Sequence, residues 1–183
     1  KEISNQTKHY ITHVFLQAGV GGMAAGVICG IAKYFKRIPK IIVIEPEEAN
    51  CVMKSIKYGT LKKVNIKNQS IMGGMSCAEV SLVPWRILKN AVNNCVSVSD
   101  KYVPQTLTML AKKKFSDKKI IAGECSTPGV ISVISCCNDP LVKKKLEISE
   151  KSNILIIGCE GDTDKNLYNK LYKIGNQKLK KYD

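Results

Sequence analysis

Short apolar runs alternate along the chain with stretches of helical periodicity, the pattern of an α/β protein with parallel strands. His13–Gln17 reads as a buried strand that ends at the glycines between Gly19 and Gly22. The following stretch, from about Met23 to Phe35, is apolar on most faces and predicts a helix packed between layers. Ile41–Ile44 is a second strand, apolar throughout rather than alternating, as interior parallel strands are. Pro46, Glu47 and Glu48 then suit the first turn of another helix, where negative charge meets the positive end of the dipole.

Further along, the glycine-containing stretch Ile71–Met75 leads to a helix over about Val83–Val92, and Cys95–Val98 predicts a short strand. Asp100 is placed to cap the next helix, and Pro104 is tolerable only near that helix's start. Ile120 and Ile121 precede Gly123-Glu124, and a helix is expected from Gly129 through Cys136. Ile154–Ile157 is the last clear strand, followed by the polar turn Gly158–Asp164. Leu167, Leu171 and Ile174, spaced by four and three, predict the buried stripe of a final helix. Glu79 reads as a loop acid and Trp85 as a core aromatic. No repeat or long linker is visible, so one domain, or part of one, is expected.

Composition narrows the classes. The 183 residues are 44% hydrophobic and 24% charged, which excludes disorder. The net charge of +14 raises nucleic acid as a partner, but the charge is nearly all lysine. The lysines lie scattered or in the short runs Lys112–Lys114, Lys143–Lys145 and Lys180–Lys181, with no interleaved aromatics for base stacking. A solvated basic surface is expected, with no nucleic-acid partner. The eight cysteines form no C-x-x-C, and zinc-ligand spacing is absent. Most sit in apolar runs and read as small buried thiols of a reducing, cytoplasmic protein. No apolar run approaches the roughly 20 residues needed to span a bilayer, so no membrane is expected. The chain opens on Lys1 without a signal-peptide pattern and reads as an excised piece.

Candidate chemistry begins at Gln17-Ala18-Gly19-Val20-Gly21-Gly22-Met23-Ala24, which joins a strand to a helix. Glycines let the backbone amides turn toward a ligand, and the helix that follows directs its unpaired N–H groups and positive dipole end to the same place. A phosphate suits this geometry, and two kinds fit. Gly19-x-Gly21-x-x-Ala24 satisfies a relaxed dinucleotide fingerprint, with Glu45 at the end of the next strand where a ribose-binding acid would stand. Pyridoxal phosphate is the other, and a tight strand-to-helix turn without ligand is the plain structural alternative.

Longer segments add a resemblance. Thr12 through Gly22 is similar, nearly letter for letter, to the phosphate-loop region of the diaminopropionate ammonia-lyases. Val43-Ile44-Glu45-Pro46-Glu47-Glu48-Ala49-Asn50-Cys51, Ile71-Met72-Gly73-Gly74-Met75-Ser76-Cys77-Ala78-Glu79, Gly123-Glu124 and Glu160-Gly161-Asp162-Thr163-Asp164 resemble further motifs of that family, in the same order. The resemblance covers almost the whole chain. It implies pyridoxal-phosphate fold type II, the tryptophan-synthase-β-like three-layer fold with a parallel sheet. Residues 1–183 would be the carboxyl-terminal portion of its large domain, with the amino-terminal part absent.

The same resemblance implies that Gly19, Val20, Gly21, Gly22 and Met23 bind the cofactor's phosphate through their amides. Cys159 would stand beside the pyridine nitrogen, and Glu124 near the ring end of the cofactor. Taken alone, Cys159 also fits a small strand-end residue, and Glu124 a helix-entry carboxylate. The family's lysine that bonds the cofactor, and its proton-transferring acids, would lie upstream, leaving no catalytic residue in this chain. The implied reaction of the intact enzyme is α,β-elimination of ammonia from 2,3-diaminopropionate to give pyruvate, by a homodimer. Ser126, Thr127 and Pro128 depart from the small residues the family carries after Gly123-Glu124, and Gly158-Cys159 stands where relatives have Ser-Thr. Crowding at that turn would impair cofactor fit. A dinucleotide-dependent oxidoreductase and a truncated, non-catalytic product are the alternatives.

Overall fold

The computed structural model describes residues 1–7 and 9–180, so the Lys181 half of one basic run lies outside the described residues. The strands are β1 (His13–Gln17), β2 (Lys40–Pro46), β3 (Asn94–Val98) and β4 (Ile154–Ile156). They form one sheet in the order β3-β2-β1-β4, with every pairing parallel. The helices are α1 (Glu2–Gln6), α2 (Gly22–Tyr34), α3 (Cys51–Tyr58), α4 (Leu82–Ala91), α5 (Val103–Ala111), α6 (Pro128–Asn138), α7 (Pro140–Leu146) and α8 (Lys165–Leu179).

Side chains alternate across a strand, so a strand apolar at every position needs cover on both faces. Val14, Leu16, Ile41 and Val43 point to one side, against Ala24, Ala25 and Ile28 of α2, Val52 of α3 and Trp85 and Leu88 of α4. Phe15, Ile42 and Ile44 point to the other, against Leu107 of α5, Ile131 of α6 and Tyr168 and Leu171 of α8. Each such side chain, taken fully from water, contributes about 1.5–3 kcal/mol. The result is three layers with the sheet in the middle. Where α5 and α8 cross, a Cβ on Gly175 would sit 2.0 Å from the Pro104 carbonyl oxygen, so the pair touches through backbone.

Several expectations need correction. Asp100 does not cap α5; its carboxylate accepts from the Ser70 hydroxyl (2.6 Å) and the Ile71 amide (2.8 Å), fastening the 70–76 loop. Glu47 and Glu48 lie in a 3-10 turn ahead of α3, not in its first turn. Leu171 is buried as expected, but Leu167 and Ile174 are half-buried, and Tyr168 and Gly175 complete the buried stripe. Of the cysteines, Cys51, Cys125 and Cys136 are buried, whereas Cys29 and Cys159 are exposed. No described helix is long and apolar enough to cross a membrane.

Candidate active site

Parallel strands carry their loops at one end, and ligands of open α/β sheets bind beyond the carboxyl ends of the strands. The glycine loop follows β1 directly. Gly21 caps α2 at φ 92°, a left-handed conformation that favours glycine. A Cβ there would also lie 2.7 Å from Leu88 Cδ1. Among the described residues the amides of residues 19–23 donate to no protein acceptor, and the first bond of the turn runs from the Ala25 amide to the Gly21 carbonyl. Beside Gly22, no heavy atom lies within 4 Å of where a Cβ would stand. Unclaimed donors, the space beside Gly22 and the positive end of a helix of 13 residues are together an arrangement that can receive an anion, a candidate cradle.

Against the cradle stands the 73–77 loop, which the sequence marked as a glycine stretch and as part of a family-like motif, without a role. A Cβ on Gly19 would stand 2.6 Å from the Gly74 carbonyl oxygen, so the two backbones meet closely. Gly74 in turn approaches the Cys125 thiol, at 3.5 Å from a Cβ position. Gly74 thus bridges the glycine loop and the second half of the site, a role visible only once the chain is folded.

That second half brings Glu124–Ser126 to Gly158–Glu160. Gln17, buried at the end of β1, donates from Nε2 to the carbonyls of Ile157 (2.6 Å) and Cys125 (3.1 Å). Ser126 Oγ accepts the amides of Cys159 (2.9 Å) and Glu160 (2.8 Å). The Glu160 carboxylate accepts the Cys125 amide at 2.6 Å. Cys159 Sγ sits 3.3 Å from the Cys125 carbonyl oxygen. Although Cys159 is exposed on one side, partial desolvation of its thiol raises its pKa, with the Glu160 charge adding to the rise and the Ser126 hydroxyl opposing it. The thiol therefore stays neutral at ordinary pH. Glu124 is half-buried, and desolvation first, then the charges of Glu160 and Asp164, raise its pKa. A cavity of about 780 Å³ opens here, lined by Ser126, Cys159 and Glu160 and by apolar residues including Phe115, Ile121 and Ile156.

The sequence-derived residues thus fall into two groups on one end of the sheet: Gly19–Met23 at the cradle, and Cys159 at the cavity with Glu124 in the adjoining 124–126 turn. The residues sequence reasoning missed are Gln17, Gly74 and Ser126. Only Ser126 left a signal, as a departure in the turn; it is buried (4% exposed), and its hydroxyl ties the turn to residues 159 and 160. Glu45 does not fit a ribose. It is fully buried, and its two oxygens accept the amides of Val52 and Met53, each at 2.7 Å.

Comparison with known proteins agrees with the geometry. The family model described as pyridoxal-phosphate dependent enzyme matches residues 1–160. The chain belongs to that family, whose cofactor is pyridoxal phosphate, and its parallel three-layer fold is of the fold type II kind. Among curated proteins it is 32% identical, over 161 residues, to diaminopropionate ammonia-lyase of Escherichia coli strain K12, covering 86% of this chain and 40% of that protein. Threonine dehydratase of Arabidopsis thaliana is 29% identical over 66% of this chain and 19% of its own length. Among solved structures, holo diaminopropionate ammonia lyase from Escherichia coli superposes with a TM-score of 0.83 at 30% identity, over 95% of this chain and 44% of that one. The chain thus spans less than half the length of these relatives.

Proposed function

We propose that this chain is the phosphate-binding part of an ammonia-lyase that eliminates ammonia from 2,3-diaminopropionate, giving pyruvate and two ammonia molecules with the uptake of one water. The observation that carries the cofactor half of this reading is the set of unclaimed amides at residues 19–23, at the start of α2 and with open space beside Gly22. The substrate rests on the likeness to diaminopropionate ammonia-lyases.

Gly19, Val20, Gly21, Gly22 and Met23 would hold the 5′-phosphate, with main-chain donors and the α2 dipole offsetting its charge. When bound, pyridoxal phosphate supplies an electron sink for the pair released from the substrate's Cα–H bond, which lets the β-amino group leave. Cys159 would stand beside the ring nitrogen as a neutral thiol, a weak donor and acceptor that does not hold a proton on that nitrogen as a carboxylate does. Ser126 and Gln17 hold the strand-end backbone that presents Cys159. Glu124, in the turn beside the cavity, would be a carboxyl group near the ring end that protonates at a higher pH than an exposed one. The lysine that bonds the cofactor and the acids that move substrate protons are not assigned to these 183 residues, so the chain by itself would be inactive. In the complete enzyme we expect a homodimer.

The test is an assay of the natural gene product with 2,3-diaminopropionate and with L-threonine, reading the keto acid and ammonia together. Pyruvate with two ammonia per turnover supports the reading. Preferential release of 2-oxobutanoate from threonine would move the protein to the dehydratases, and inactivity on both would favour a non-catalytic product.

A further inference from the structure

We infer that Glu45 is a positioning residue for the phosphate loop: it pins the amino end of α3, and the first residue of α3, Cys51, holds the Gly19 carbonyl from behind. The inference rests on the cradle reading above and adds a residue to it.

Glu45 lies one residue past Ile44, whose carbonyl accepts the Ala18 amide at 2.9 Å, so its backbone is next to the strand pairing that leads into the glycine loop. It is fully buried, an expensive place for a carboxylate unless its oxygens are claimed. They are claimed by the Val52 and Met53 amides, two of the donors that a helix start leaves without partners. This fixes where α3 begins. The Cys51 thiol is thereby set 3.7 Å from the Gly19 carbonyl oxygen. Gly19 is also wedged by the Gly74 carbonyl oxygen and the Cys77 sulfur, which would stand 2.6 and 2.8 Å from its Cβ position. With its carbonyl in contact with the thiol and its Cα flank blocked, the Gly19 peptide has little freedom, which steadies the amides that follow it.

The groups around Glu45 do not offer another explanation for its retention. The titratable side chains that face it are Cys51 from α3, whose thiol also lies in hydrogen-bond reach of the carboxylate as well as of the Gly19 carbonyl, and Cys95 from β3, while Cys77 faces Cys51. Both Cys51 and Cys95 are pushed up to about 12, chiefly by burial, so neither supplies a counter-charge. Ser97, its register partner in β3, hydrogen-bonds Met53 Sδ at 3.7 Å instead. The carboxylate is compensated by α3 amides, and its own pKa is pushed up to about 7, mainly by burial.

The test uses calorimetric titration of the full chain, under reducing conditions, with pyridoxal 5′-phosphate and with inorganic phosphate, alongside thermal melting. Glu45→Gln keeps the volume but presents an NH₂ group to one helix amide. Cys51→Ala removes the thiol, and Cys51→Ser restores a donor. We expect Glu45→Gln to weaken both ligands about tenfold, Cys51→Ala about threefold, and Cys51→Ser to recover most of the Cys51→Ala loss. A folded Glu45→Gln chain that binds both ligands like the wild type overturns the inference. If that variant does not fold, the Cys51 pair decides, and equal affinities for Ala and Ser overturn it. Wild-type chain that binds neither ligand overturns the cradle reading itself, and with it this inference. A purely structural role would lower the melting temperature without the Cys51 rescue.

Discussion

The cradle at Gly19–Met23 and the cavity end at Glu124–Ser126 and Gly158–Glu160 are built from different materials. The cradle is backbone: amides without acceptors, a left-handed glycine and a helix start, all from consecutive residues. The cavity end is side chain: a serine, a glutamine, a thiol and acids from three separated segments, cross-tied by hydrogen bonds. Backbone donors do not titrate and need no rotamer to be chosen, so the cradle is pre-set for one charge. The cavity end carries raised pKa values and depends on long-range ties, so its properties change with pH and with any one of those ties.

That contrast makes the two ends separable by experiment. The largest effect is expected for Gly21→Ala, which combines a left-handed φ with a Cβ 2.7 Å from Leu88. Strain and overpacking together should cost about 3 kcal/mol in denaturant unfolding and abolish phosphate binding. Gly22→Ala has free space for its methyl group, so it should leave stability nearly unchanged while still weakening phosphate. Equal stability losses for the two variants would break the account of the cradle.

Next comes pH. Glu45 has a folded pKa raised from the ordinary 4.5 to about 7. A group raised on folding contributes its stability below the unfolded pKa and loses it as pH rises through the folded one. The chain should therefore become more stable between pH 8 and 5 by about 3 kcal/mol from this group, and Glu45→Gln should flatten that slope. Identical slopes for the two proteins would show that Glu45 is not the titrating group. Ser126→Ala should then cost about 2 kcal/mol, because two amides lose their acceptor, while phosphate affinity stays within twofold. A large affinity loss there would mean the two ends are not independent. Smallest is Cys159→Ala: a two- to threefold loss of pyridoxal phosphate affinity with inorganic phosphate unaffected.

The same distinction explains what could be read from the sequence. β1, the glycine loop and α2 were legible because strand, turn and helix are contiguous and each leaves a local mark in apolar runs or glycines. β2 and Glu45 were placed correctly along the chain, yet spacing suggested a ribose ligand, since nothing local shows that α3 would offer its amides to that carboxylate. Asp100 looked like a helix cap for the same reason, and its true partners, Ser70 and Ile71, are some thirty residues away. Gln17, Gly74 and Ser126 gain their meaning only from contacts across the fold. The resemblance to the ammonia-lyases supplied Glu124 and Cys159, which no periodicity could have singled out.

The central claim is that the amides following β1 receive a phosphate. Amide-resolved NMR of the ¹⁵N-labelled chain, titrated with pyridoxal 5′-phosphate and then with excess inorganic phosphate, tests it directly. The account expects saturable shifts centred on the amides of residues 19–23, reversed in part as inorganic phosphate competes. Shifts confined to surface lysine segments such as Lys143–Lys145, with residues 19–23 unmoved at saturation, would contradict it.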